Sequence, residues 1–285
     1  MNITFSDFWK YPKAFDPNNN FFIYIIRELF EDVRVVHPED ADVMIFSNFG
    51  NENTRYKDCK KIYYTGENTR PNFKKCDYSL TFDFDTYGGR NFRLPLWYLY
   101  IDWFNVGSYG NPDWLIPESY LYGENEFTKK QKNEFCSIVY GSPHQSRVDA
   151  IKNISNNYKK VDVFGKVNPN HNLPDGENYK MNLISNYKFS LCYENSVTPG
   201  YHTEKLLHGK IAGNIPIYYG DKTISEDFNS ECFINAVDMS DEELVELIQR
   251  IDFDNSLYIK MKNKPIFKEK LTLDEICANF KTMLD

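Results

Sequence analysis

The chain predicts an α/β protein of two Rossmann-like halves facing a cleft, and three observations lead there. Short apolar runs alternate with stretches of helical periodicity over residues 3–82, and the same rhythm resumes over 135–250. A passage rich in Gly, Pro and Asn, between about residues 105 and 133, separates the two series. The length, 285 residues, suits two domains of ordinary size.

Residues 3–8 read as the first strand and 21–30 as a helix, followed by strand-like runs at 33–36, 43–47, 61–65 and 79–82. In the second half, 135–140, 161–164, 188–193 and 215–219 read as strands, with helices over 146–156 and 203–212. Ser240 followed by Glu243 has the spacing of a capping box for a helix over 240–250. A last amphipathic helix spans 271–284, with Leu273, Ile276, Phe280 and Leu284 on one face. No sequence repeat relates the halves, and the expected domains are 1–133 and 134–265. In such sheets ligands gather at the carboxyl ends of strands, so this layout suits an enzyme holding a nucleotide-linked donor in one half and an acceptor in the other.

Composition narrows the function. Apolar residues at 41% and aromatics at 16% are too many for disorder, and 26% charged residues are too many for a membrane bundle. A net charge of −8 argues against nucleic acid as a partner unless cations gather in one cleft. The apolar run at 21–26 is far shorter than the roughly 20 residues of a spanning helix, and no basic start precedes an apolar stretch at the N-terminus. The expectation is a soluble, cytoplasmic protein with no integral membrane segment, peripheral association with a membrane being left open. The six cysteines lie far apart, several in strand-like runs, and read as reduced buried thiols rather than disulfides or zinc ligands. Two matches to the glycosylation acceptor pattern, at Asn2 and Asn153, carry little weight in so Asn-rich a chain.

The richest segment is 188–221: a buried strand, a polar loop, a helix, and a second strand ending in Gly220-Asp221. Pro199-Gly200 forces a turn, Thr203 suits a helix N-cap, and the free N–H groups beyond it can receive a diphosphate. Lys205 sits in the first turn, where the helix dipole prefers an anion, so a phosphate beside it would explain the cation. Glu204 either compensates the dipole or accepts hydrogen bonds from sugar hydroxyls; spacing leaves both open.

The pattern Phe189-Ser190-Leu191-Cys192-Tyr193-Glu194-Asn195-Ser196, then Gly200-Tyr201-His202-Thr203-Glu204-Lys205 and Ile215-Pro216-Ile217-Tyr218-Tyr219-Gly220, resembles the signature of the α-1,3/4-fucosyltransferases, glycosyltransferase family 10. Upstream, Tyr64-Thr65-Gly66-Glu67-Asn68, Pro71-Asn72-Phe73, Asp77-Tyr78 and Phe82-Asp83 resemble a second block of the bacterial members, in family order. The resemblance runs from about residue 40 to 240. It implies a GT-B fold whose first domain binds the acceptor and whose second binds GDP-fucose, with the C-terminal stretch 266–285 packing back on the first. It also implies an inverting transfer of L-fucose to a hydroxyl, O3, of an N-acetylglucosamine-type glycan. Glu67 falls on the family's catalytic-base position, and Asn195, Tyr201, Glu204 and Lys205 fall on donor-binding positions. Arg147, after the first strand of the second half, falls near a phosphate-binding arginine, with Lys166 or Lys222 as alternative cations. No cofactor is required by this reading; manganese would stimulate without a dedicated site.

Competing readings accompany each assignment. Glu67 could simply cap the turn at Gly66, whereas a base working near neutral pH would gain from partial burial by Tyr63, Tyr64, Phe73 and Tyr78. Asp83-Phe84-Asp85 mimics a metal-binding Asp-x-Asp but lies in the acceptor half, away from the expected phosphate site. The five histidines (37, 144, 171, 202, 208) show no metal-ligand spacing, and surface or packing roles are expected of His202 and His208. Most of the aromatic stretch 94–104 is expected in the core, with one or two rings left for an acceptor. A different GDP-deoxyhexose donor, or a catalytically silent carbohydrate-binding protein, stand as alternatives. Acceptor identity and linkage are not legible. The chain as given carries no heptad repeats or basic amphipathic tail, so repeat-driven dimerisation and membrane tethering are not implied.

Overall fold

The computed structural model describes residues 1–10, 13–165 and 176–285; Lys166 and His171 lie outside them. The chain divides into two compact units, 1–116 with 271–285, and 117–270.

The first unit is built on a wholly parallel sheet of β1 (Asn2–Ser6), β2 (Arg34–Val35), β3 (Val43–Phe46), β4 (Lys60–Tyr64), β5 (Tyr78–Thr81) and β6 (Asn91–Arg93), in the order β2-β1-β3-β4-β5-β6. All four residues of β3 are buried, as a central strand covered on both faces requires. Helix α1 (Phe21–Leu29) starts where the Asn20 side chain accepts from the Ile23 N–H at 2.9 Å. It buries Phe22, Ile25 and Ile26 against Ile3, Ile45 and Tyr64, and the last helix, α7 (Asp274–Leu284), adds Ile276, Phe280 and Met283 to the same core. Trp97, Leu99 and Ile101 of the aromatic stretch are also buried, and a short ladder of β7 (Ile101–Asp102) and β8 (Ile116–Pro117) follows it. The first strand ends earlier than its apolar run suggests. Asp7, at φ 59°, turns the chain out, and its carboxylate receives the Glu52 and Asn53 N–H groups, each at 2.8 Å, and the Asn53 amide at 2.6 Å.

The second unit carries five parallel strands, β9 (Glu134–Tyr140), β10 (Val161–Gly165), β11 (Tyr187–Tyr193), β12 (Ile215–Tyr219) and β13 (Ile234–Asn235), in the order β10-β9-β11-β12-β13. Around them lie α2 (Gln145–Asn157), α3 (Glu177–Ile184), α4 (Glu204–Ile211), α5 (Asp241–Phe253) and α6 (Asn255–Lys262). Ser240 and Glu243 close the capping box of α5 reciprocally. β6, α3, α6 and β13 are absent from the sequence reading: the two strands have three and two residues, and the two helices bury only Met181 and Ile184, and Tyr258, too few positions to show a period. The unit boundaries fall at 116/117 and 270/271 rather than at 133/134 and 265/266. Hydrogen bonds explain the first displacement: Asn125 donates to the Ile211 carbonyl at 3.1 Å, and Lys132 to the Ser185 and Ala212 carbonyls at 2.5 and 2.6 Å, tying 117–133 to the second unit.

All six cysteines are free thiols. Among the described residues no helix is long and apolar enough to cross a membrane.

One buried cluster makes the second unit acid-sensitive. Burial by itself would raise the Asp252 carboxyl, but hydrogen bonds from Lys159, Lys188 and Tyr158 outweigh it and hold the group at about 2. A carboxyl depressed on folding stabilises above its unfolded value near 4 and loses that contribution as the pH falls towards 2. Asp252→Asn is therefore expected to lower the melting temperature at pH 7, with the gap from wild type closing between about pH 4 and 2. Thermal unfolding across that range checks it; a gap independent of pH would refute the assignment.

Candidate active site

In the second unit the loop leaving β11 and the start of α4 collect the charged groups. Gly200, at φ 78°, makes the turn that the Pro-Gly pair predicts, with Tyr201 N–H on the Thr198 carbonyl at 2.9 Å. The Gly200 N–H is held by Asp221 at 3.3 Å and the Thr223 hydroxyl at 3.2 Å. His202, expected in a surface or packing role, is 1% exposed, with Nδ1 2.6 Å from Asp227 and Nε2 3.3 Å from the Thr223 hydroxyl. It locks the loop to the segment after β12.

Thr203 occupies the N-cap position, but its hydroxyl does not cap the helix. It donates instead to Glu194, whose carboxylate also takes the Thr203 N–H at 2.8 Å and the Lys205 ammonium at 3.0 Å. Glu194 thus takes the N–H of the N-cap residue and stands beside the cation of the first turn. Burial opposes the charge of Lys205, yet Glu194 and Glu204 more than offset it and raise its pKa. Burial would likewise raise Glu204, but Lys205 and Lys180 hold it at about 2. Lys180 of α3 stands 4.0 Å from Glu204, 3.3 Å from Glu177 and 2.8 Å from His208 Nδ1. An ammonium can only donate, so that imidazole is neutral, in keeping with the downward shift that burial gives it.

Arg147 is 3% exposed and ties two strand ends together, donating to the Tyr193 carbonyl at 3.1 and 2.6 Å and to the Ser142 carbonyl at 2.9 Å. Glu194, Glu204, Tyr140 and Tyr201 lie within its electrostatic range. Tyr201 is buried, and the buried Oδ1 of Asn195 accepts no hydrogen bond among the described residues. The structure therefore brings Arg147, Asn195, Tyr201, Glu204 and Lys205 to one carboxyl edge, with Lys205 paired to Glu194. Lys222 is exposed on the segment Lys222–Glu226. Glu194 and Lys180 are the participants that the sequence reading left without a role. Only the dipole-opposed cation at Lys205 hinted at a nearby anion, and nothing local pointed to Lys180.

In the first unit Glu67 stands exposed in the loop leaving β4. Its N–H donates to the buried Thr65 hydroxyl at 3.0 Å and its carbonyl takes the Thr69 N–H at 2.7 Å, so the backbone beneath the carboxylate is fixed. The expected aromatic shield is not there. Tyr64 packs into the core against Phe8 and Phe22, the Tyr63 hydroxyl bonds Thr69, Phe73 lies against Tyr87, and Tyr78 against Phe92. These rings serve the sheet, which claims apolar side chains first. Asp83 is engaged by Arg70 at 2.7 Å and the Tyr87 hydroxyl at 2.8 Å, while Asp85 accepts the Tyr87 N–H. Among the described residues no group of three or more His, Cys, Asp or Glu is arranged to hold a metal. Cavities of about 410 Å³, beside Tyr122, Lys210 and Pro265, and about 440 Å³, beside Lys57, Phe73 and Lys75, lie away from these groups.

Two parallel-sheet units of this kind belong to the GT-B class of glycosyltransferases. The fold superposes on a crystal structure of α1,3-fucosyltransferase with GDP-fucose at a TM-score of 0.75 and 23% identity, covering 100% of this chain and 90% of that one. A more distant likeness, TM-score 0.59 and 8% identity over 99% and 98% of the two chains, is to Anabaena HepE in complex with UDP and glucose. Residues 3–100 match the alpha-(1,3)-fucosyltransferase FucT N-terminal domain, and residues 127–270 match the C-terminal part of glycosyltransferase family 10 (fucosyltransferase). The chain belongs to glycosyltransferase family 10. It is 26% identical to alpha-(1,3)-fucosyltransferase FucT of Helicobacter pylori, over 100% of this chain and 66% of that protein. It is 35% identical to a putative fucosyltransferase of Acanthamoeba polyphaga mimivirus, over 53% of this chain and 27% of the other.

Proposed function

We propose that the protein is an inverting fucosyltransferase that moves L-fucose from GDP-fucose to a hydroxyl, O3, of an N-acetylglucosamine-type glycan. The observation that carries this reading is that both halves of the chain match fucosyltransferase domains, with Glu67 exposed on a fixed loop at the carboxyl edge of the first sheet. Glu67 takes the proton of the acceptor hydroxyl as that oxygen attacks the anomeric carbon, and GDP leaves from the opposite face. Lys205 and Arg147 offset the charge that builds on the leaving diphosphate, which competes with Glu194 and Glu204 for them. Asn195, with an unused buried acceptor, and Tyr201 and Glu204 contact the nucleotide sugar. The protein's own charges perform these steps without a resident metal; manganese acts as a stimulant. Incubation with GDP-fucose and N-acetyllactosamine is expected to give a fucosylated trisaccharide by mass spectrometry, with slow donor hydrolysis when acceptor is left out. An incubation that gives neither transfer nor hydrolysis overturns the reading.

A further inference from the structure

Among the described residues of the first unit, the exposed large apolar side chains are Phe49 and Phe84, at 47% and 43% exposure. Their positions in the sheet are not scattered. β3, β4 and β5 are neighbours, and Phe49, Glu67 and Phe84 each stand three positions beyond the end of their strand, at Phe46, Tyr64 and Thr81. The register, Phe46 opposite Tyr63 and Tyr64 opposite Leu80, keeps the three nearly level. Parallel neighbours lie about 4.8 Å apart, so the two phenylalanines follow strands roughly 10 Å apart, on either side of the strand that leads to Glu67.

Both rings are held in place. The Phe49 N–H donates to the Asp7 carbonyl at 2.9 Å, and Trp9, also three positions past its strand, meets Phe49 edge-on at 6.4 Å and 89°. The Arg93 guanidinium lies over Phe84 at 4.4 Å, anchored by its Nε on the Phe82 carbonyl at 3.1 Å. The surroundings are polar and exposed: Asn48, Asn51, Asn68 and Asp85. An apolar protein partner would want a continuous apolar patch, whereas isolated aromatic faces in a polar rim suit a ligand with apolar C–H faces and hydroxyl edges.

We propose that Phe49 and Phe84 are stacking platforms for an acceptor saccharide of at least two rings, one ring to each side of Glu67. The proposal rests on the fucosyltransferase reading and names the acceptor class of that site. A single monosaccharide reaches one platform; a disaccharide reaches both. Phe49→Ala and Phe84→Ala are each expected to raise the KM for N-acetyllactosamine about tenfold, with GDP affinity and melting temperature as in wild type. Phe→Tyr at either position keeps the ring and stays near the wild-type KM, which a merely structural effect would not require. Free N-acetylglucosamine, which wild type should use less well, is expected to lose less on substitution than the disaccharide does. Unchanged acceptor KM in both alanine variants overturns the proposal, as does wild-type donor hydrolysis without transfer to either saccharide. A wild type that neither binds GDP nor hydrolyses GDP-fucose counts against the parent reading instead.

Discussion

Glu67→Gln is expected to lower turnover by about 10²–10⁴-fold while GDP affinity stays within about twofold of wild type. The substitution keeps the shape of the side chain and removes its capacity to take a proton. The fold gives little reason for collateral damage: the carboxylate is exposed, and the loop is held by backbone contacts to Thr65 and Thr69 that Gln leaves intact. Initial rates at saturating acceptor, GDP titration calorimetry and a melting curve separate the outcomes. Full activity in Glu67→Gln sends the base elsewhere, and a fallen melting temperature with proportionate losses in both rate and binding makes Glu67 a structural residue.

The second large effect is expected at Lys205. Lys205→Met should weaken GDP binding by about tenfold or more, since a charged contact to the diphosphate is lost. It should also destabilise the second unit, because the Glu194 side chain is 1% exposed and would lose its ion-pair partner. Removing one partner of a buried pair costs about 3 kcal/mol. The two effects are separable. In the double substitution Glu194→Gln with Lys205→Met the anion at 194 is gone and Glu204 keeps Lys180, so the melting temperature should recover in large part while GDP binding stays weak. Calorimetry and thermal unfolding of the three variants test this. Recovery of both properties together would mean that Lys205 serves Glu194 alone and has no diphosphate to meet.

The strand β12 coincides with the run read from the sequence, and the α5 capping box closes between the two residues that announced it. Such elements depend on neighbours within one turn or one pleat, so their physics is written locally. Much of the candidate site was legible too, in the motif blocks around Glu67 and 188–221. The charge balance around that site was not. Arg147 and Lys205 read as cations for a phosphate; that Arg147 also donates to strand-end carbonyls and that Lys205 faces Glu194 was not written locally. The rings around Glu67 read as a shield, but the sheet directs them into its core or against loop neighbours.

The sequence by itself determined that this is an α/β chain with two comparable halves, carrying the residues of a family whose motifs recur in order. Local period, turn chemistry and motif spacing suffice for that. Only the tertiary structure decided which charge answers which, where the units divide, and which two phenylalanines remain exposed on the strands beside β4. Those outcomes turn on burial and on contacts between segments far apart in the chain. Burial fixes the cost of an unpaired charge, and no local pattern records which distant group will meet it.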